Sequence, residues 1–150
     1  MDAPAPPSGG SREIRELDRR EIDLLLERNR WGVLSLALGD EPYAVPVIYG
    51  YDGHAFVFAN APGRKVEIIE ANPRVCLVIT EVEEAGKRWR SVIARGTVEW
   101  IDDIAGKLSA FNLLRKQVPA STQRVRDATR LANARVARLR AEEITGRAAG

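Results

Sequence analysis

The sequence predicts a mainly β fold with a few helices: six antiparallel strands closed into a small barrel. Three observations carry that prediction. Runs rich in valine, aromatics and alternation recur at 31–38, 43–51, 54–60, 74–82, 88–101 and 135–145, separated by turn residues. The first three are joined only by the short polar links "GDEP" and Asp52-Gly53, which leaves room for hairpins and none for the helical crossovers of a Rossmann sheet. Closing such a meander removes the exposed edges it would otherwise leave.

Each element has a local reason. Residues 1–12, "MDAPAPPSGGSR", lack a basic region followed by an apolar one; they read as a disordered tail rather than a secretory signal, with the domain spanning 13–147. Asp18 followed by Glu21 is a capping-box start, and Ile22, Leu25 and Leu26 then share one face of a helix reaching about Asn29. Asp52-Gly53 predicts a type I′ turn. "GRKVEIIEAN" predicts a short helix with Val66, Ile68 and Ile69 inward, ended by Pro73, because the residue before a proline is driven out of the α region. Gly96 marks a bulge or bend in the long strand 88–101. Asp102 caps a helix through "DIAGKLSAFNLLRKQV", with Ile104, Leu108, Phe111 and Leu114 at helical spacing. The stretch 119–133 is the least legible. "ARVARLRAEEITG" closes the chain with a strand.

Composition narrows the function. A chain of 150 residues with 45% hydrophobic and 29% charged residues is long enough to bury a core without a metal or disulfide staple. No apolar run approaches the roughly 20 residues of a membrane span. The single cysteine, Cys76, sits within "VCLVI", which fits a reducing, cytoplasmic setting. The net charge of +2 does not argue for nucleic acid. Ten Lys or Arg between 107 and 147 against three acids read as a solvated face.

Candidate chemistry is sparse. There is no Walker pattern, G-x-G-x-x-G, H-E-x-x-H or C-x-x-C, and no metal site is assigned. The only histidine, His54, follows the Asp52-Gly53 turn and reads as exposed, so hard chemistry would come from a bound cofactor. Arg64 and Lys65 open the 64–72 helix, where free N–H groups and the dipole favour an anion. Two cations at a helix N-terminus are unfavourable by about 0.3–1 kcal/mol each, a sign that a phosphate would reverse. Trp31, Trp89, Trp100, Tyr43, Tyr49 and Phe58 read as core or interface aromatics. Pro46, inside "YAVPVIY", belongs on an edge or at a bulge, where backbone groups remain free for a ligand.

The stretch "PYAVPVIYGYDGHAFVFANAPGRKVEIIEANPRVCLVI", with "WRSVIARGTVEWI" and "LRAEEITGR", resembles the pyridoxamine 5′-phosphate oxidase-like flavin-binding split barrels, and within them the nitroimidazole-resistance-type flavoproteins. The resemblance implies a split β-barrel of the FMN-binding type and a homodimer acting as an oxidoreductase on a small organic substrate. It implies FMN at each subunit interface, with a deazaflavin or haem as alternative cofactors, or a non-catalytic carrier as an alternative role. It implies phosphate contacts from Arg64 and Lys65. The ring would lie along Tyr43, Val45, Pro46, Val47 and Ile48, near Phe58 and Ala59, with Ser91 completing the site. Catalytic residues are not assigned. Ala59 stands where many members of that branch carry a histidine, and the arginine-bearing substrate motif of the true oxidases is not evident.

Overall fold

The computed structural model describes residues 13–117 and 135–150. The readings of 1–12 and 119–133 lie outside them. In chain order the elements are β1 (Ile14–Glu16), α1 (Arg19–Arg28), β2 (Trp31–Leu38), β3 (Glu41–Ile48), β4 (Gly50–Tyr51), β5 (Ala55–Asn60), α2 (Arg64–Ala71), β6 (Arg74–Glu83), a 3-10 turn (Glu84–Gly86), β7 (Arg88–Ile101), α3 (Ile104–Gln117) and β8 (Arg135–Ala149). One antiparallel sheet runs in the order β3-β2-β6-β7-β8-β5-β4, with β1 added against β8. The mainly β split-barrel expectation is met.

The curl of the sheet is visible at Tyr49. The run 43–51, read from sequence as one strand, is broken there because it changes partner. Through Ile48 it pairs with β2, Tyr49 N–H still donates to Arg30 O at 3.0 Å, and Gly50 and Tyr51 then pair with β5. The first and last strands of the sheet are therefore one residue apart in the chain. Tyr49 is fully buried, its hydroxyl donates to Leu26 O at 2.8 Å, and its ring meets Phe56 edge-on at 5.6 Å. Counted this way, the six expected strands are all present, one of them broken, and β1 is an addition.

Inside the barrel lie Leu34, Phe56, Phe58, Leu77, Ile79, Val92 and Leu139, closed on one side by Leu25 and Leu26 of α1 and by Ile68 and Ile69 of α2. Each large apolar side chain so buried is worth roughly 1.5–3 kcal/mol against solvent exposure. The α1 capping box is formed as expected: Glu21 N–H donates to Asp18 Oδ1 at 2.8 Å, and Asp18 N–H to Glu21 Oε1 at 3.3 Å. Gly96 sits at a register shift, where a Cβ would come within 1.8 Å of Arg140 O.

Four local expectations are corrected. The hairpin at Asp52-Gly53 has positive φ at Gly53 alone, so its turn is not type I′. Asp52 instead stands first in the turn, its Oδ1 accepting from His54 and Ala55 N–H at 2.8 Å each. The cap of α3 is Asp103, not Asp102, because only its carboxylate reaches Gly106 N–H, at 2.7 Å. The inward face of α3 is Ala110, Phe111, Leu113 and Leu114, packed on Val57, Ile101 and Val136, whereas Ile104 and Leu108 are exposed. Gly106, pressed against Ile101, takes the contact in the first turn that Ile104 was expected to make. Finally, β8 continues to Ala149 rather than stopping near 145. Its last residues lie between β1 and β7, and Leu17 and Ile22 fill the space beside Gly146.

Candidate functional site

The N-terminus of α2 is open to a ligand by construction. Gly63 caps it without a side chain, and the first helical bond runs from Glu67 N–H to Gly63 O at 3.2 Å. The N–H groups of Arg64, Lys65 and Val66 therefore have no acceptor within the helix. At the other end Asn72 fixes the helix in place: its Nδ2 donates to Ala37 O on β2 at 2.9 Å, while its Oδ1 accepts from Arg74 N–H at 3.2 Å.

The two cations lean on the two strands named from sequence. The Arg64 guanidinium lies 5.9 Å from the Tyr43 ring centre on β3, and Lys65 Nζ lies 5.9 Å from that of Phe58 on β5. The proline-bearing strand and the helix N-terminus are thus neighbours, and Pro46 lies on the sheet's terminal strand as its missing N–H requires. Arg64 is exposed and Lys65 half-buried; neither closes an ion pair among the described residues. Burial holds the Lys65 ammonium below the usual lysine range. Free N–H donors, an unpaired guanidinium and a partly desolvated ammonium are the donor set a phosphate needs.

The other expected residues divide by face. Val45 and Val47 point with Tyr43 toward the core, and Phe58 is fully buried, whereas Ala44, Pro46, Ile48 and Ala59 face outward. Ser91 is not beside them. It lies on β7 opposite Thr80 of β6 and Arg147 of β8, in a separate groove. His54 is exposed at its hairpin, as expected.

Three features escaped the sequence reading. Asn60, 5% exposed, ends β5; its Nδ2 donates to Phe58 O and Arg135 O, and its Oδ1 has no donor among the described residues. Its signal was a polar residue closing an apolar strand just before Gly63-Arg64-Lys65. Second, of the two readings of Trp31, core or interface, the structure removes the first: it is 62% exposed, opposite Ile48 at 54%. Third, the register lines up Pro46, Val33, Val78, Ile93 and Thr145 in one row across five strands on the sheet's outer face, with Val33 37% and Ile93 36% exposed. The next row carries Ala44, Ser35, Cys76, Arg95 and Glu143. Burial pushes the Cys76 thiol up, and the neighbouring Arg95 opposes that shift. The basic C-terminal half is partly neutralised: Arg135 pairs with Glu70 at 2.6 Å and Arg140 with Glu99 at 2.9 Å. Among the described residues no cluster of His, Cys, Asp and Glu could hold a metal, and no helix is long and apolar enough to cross a membrane.

A curled antiparallel sheet with α2 set between two of its strands defines a split-barrel architecture, and comparison gives it a family. Residues 18–148 match the pyridoxamine 5′-phosphate oxidase family model, and the chain belongs to that family. It is 30% identical to an FAD-binding protein from Mesorhizobium loti, covering 93% of this chain and 99% of that one with a TM-score of 0.75. A candidate 5-nitroimidazole antibiotic resistance protein from Bacteroides thetaiotaomicron shares the fold, with a TM-score of 0.81 at 22% identity over 94% of this chain and 90% of that one. An uncharacterized protein of Rhizobium meliloti is 27% identical over 108 residues, 69% of this chain and 71% of the relative.

Proposed function

We propose that this chain is a homodimeric flavoprotein that binds FMN at each subunit interface and acts as an oxidoreductase on a small organic substrate. The observation that carries this reading is the pair Arg64 and Lys65, without acid partners among the described residues, at an uncapped helix N-terminus that rests on Tyr43 and Phe58. The flavin, when bound, supplies the electron transfer. The chain's own part is to hold the phosphate on Arg64 and Lys65 and to offer backbone along Tyr43, Val45, Pro46, Val47 and Ile48 for the ring. Because β3 is the terminal strand of the sheet, that stretch has backbone groups without ladder partners on one side.

The dimer has its own support. The outer-face row through Val33 and Ile93, extended by Trp31 and Ile48, leaves large apolar side chains in water, the pattern of an interaction surface. Ser91, on that same outer face, joins Arg64 and Lys65 only if a second copy brings it there. The FAD-binding relative from Mesorhizobium loti favours a second cofactor reading, FAD in place of FMN, on the same phosphate contacts. A deazaflavin would use them as well.

The test is the absorption spectrum of the purified protein, with mass identification of what it releases on denaturation, and melting curves with FMN, FAD and a deazaflavin. Ligand at about a hundredfold over Kd adds about 2.7 kcal/mol, which raises Tm by roughly 5–10 °C for a domain of this size. A colourless protein whose Tm none of the three moves would end the flavin reading. For the dimer, light scattering should give twice the chain mass and Ile93→Lys should halve it; a monomeric wild type refutes the interface.

A further inference from the structure

Of the chain's 23 lysines and arginines only four are lysines: Lys65, Lys87, Lys107 and Lys116. One of the four stands where its chemistry changes. Lys87 and Lys116 are exposed, whereas Lys65 is half-buried, with Nζ 5.9 Å from the Phe58 ring centre and no acid closing on it among the described residues. Burial without a counter-charge favours the neutral amine, the form that attacks a carbonyl, and it holds this ammonium below the usual lysine range. Beside it the exposed Arg64 guanidinium and the N–H groups that open α2 make a receptor for phosphate oxygens. A nucleophile and an anion receptor thus occupy consecutive residues. On the same face of β5, two residues beyond Phe58, lies the one buried side-chain atom without a partner among the described residues, Asn60 Oδ1.

We propose that Lys65 is a self-acylation site for acyl phosphates, molecules that couple an acyl group to the anion this turn is built to hold. The phosphate end docks on Arg64 and the α2 N–H groups, which brings the carbonyl carbon beside Nζ. Anchoring turns a bimolecular encounter into an intramolecular one. The Nζ lone pair then forms the C–N bond, the C–O bond to phosphate breaks, inorganic phosphate leaves with the electron pair, and the surplus amine proton goes to water. Asn60 Oδ1 offers an acceptor to the N–H that the new amide keeps. The product is uncharged, so the turn loses one of its two side-chain cations. The inference rests on the phosphate-site reading of Arg64 and Lys65 and adds a regulation to it. A bound cofactor phosphate occupies the same donors and shields the amine, whereas the ligand-free protein, once acylated, takes up the cofactor poorly.

The experiment incubates the full chain, stripped of any bound flavin, with acetyl phosphate and follows each of the four lysines by peptide mass spectrometry. Lys65 should be acetylated about tenfold or more faster than Lys87, the margin expected from one charge-assisted contact to phosphate. Inorganic phosphate in excess should remove most of that margin, and so should Arg64→Gln, a change at an exposed position. N-hydroxysuccinimide acetate, an acetyl donor without a phosphate, should show a smaller margin. Saturating FMN should suppress acetylation of Lys65 and leave that of Lys87 unchanged. The acetylated protein should bind FMN about ten- to 150-fold more weakly. Equal rates at Lys65 and Lys87 overturn the proposal, as does a fast Lys65 that neither inorganic phosphate nor Arg64→Gln slows. Fast, phosphate-sensitive acetylation that FMN does not suppress would instead count against the flavin reading and leave the acylation site standing.

Discussion

Replacing Lys65 with methionine should move ligand affinity and the stability of the ligand-free protein in opposite directions. In the ligand-free chain this ammonium is half-buried at the positive end of α2, over the Phe58 ring and without an acid partner among the described residues. A cation at a helix N-terminus costs about 0.3–1 kcal/mol, and methionine keeps the apolar stem while removing the charge. The ligand-free variant should therefore melt about 1–4 °C higher. FMN, if it is the ligand, should bind about ten- to 150-fold more weakly, since a charge-assisted hydrogen bond is worth about 1.5–3 kcal/mol. The pH dependence follows from the lowered Lys65 pKa. The folded state releases this proton before the unfolded state does, so the penalty is full at neutral pH and fades as pH climbs toward 10.5. The stability gap between variant and wild type should narrow over that climb. Calorimetric melts from pH 7 to 10 and a flavin titration at pH 7 measure both arms. An unchanged FMN affinity, or a variant that melts lower than wild type without ligand, refutes the reasoning.

Three further outcomes follow from particular contacts. The Glu21 carboxyl is held at about 2 by the Arg15 guanidinium and the Asp18 N–H, well below its ordinary 4.5. Its contribution is therefore complete above pH 4.5 and lost as pH falls toward 2; Glu21→Gln should flatten acid unfolding in that window, and an unchanged acid limb would show the box to be inert. Ala85 sits at φ 52, ψ 39 in the β6–β7 turn. Ala85→Gly should stabilise by about 0.5–1 kcal/mol after the entropic cost of glycine, read as a higher urea midpoint. Gly96→Ala places a methyl against Arg140 O and should cost about 2–3 kcal/mol, with a matching fall in that midpoint; a neutral result would mean the bulge relaxes freely.

What the sequence made legible was local. The Asp18–Glu21 box, the bulge at Gly96, the edge placement of Pro46 and the Gly63-Arg64-Lys65 turn each depend on neighbours a few residues away. The contact of Arg64 with Tyr43 needs α2 to lie beside β3, a placement that no single stretch of sequence specifies. The outer-face row was invisible for a stronger reason. Val33, Val78 and Ile93 each alternate with buried residues in their own strands, so nothing in one strand distinguishes a solvated face from an apolar one; only the register across strands aligns them. The groove that holds Ser91 depends on the same non-local register, joining β1, β7 and β8. The face of α3 was misread because a glycine, Gly106, makes the first-turn contact that periodicity assigned to Ile104.

The partner switch at Tyr49 has a consequence for how the barrel opens. The two ends of the sheet are one covalent segment clasped by a buried tyrosine, so peeling β3 from β2 pulls directly on the Gly50–Tyr51 pairing with β5. Amide exchange at these two ends, on strands separated by five others in the sheet, should therefore rise and fall together as one opening unit. If β3 lines a ligand, occupancy there will slow exchange at Gly50 and Tyr51 as well, through the covalent link at Tyr49.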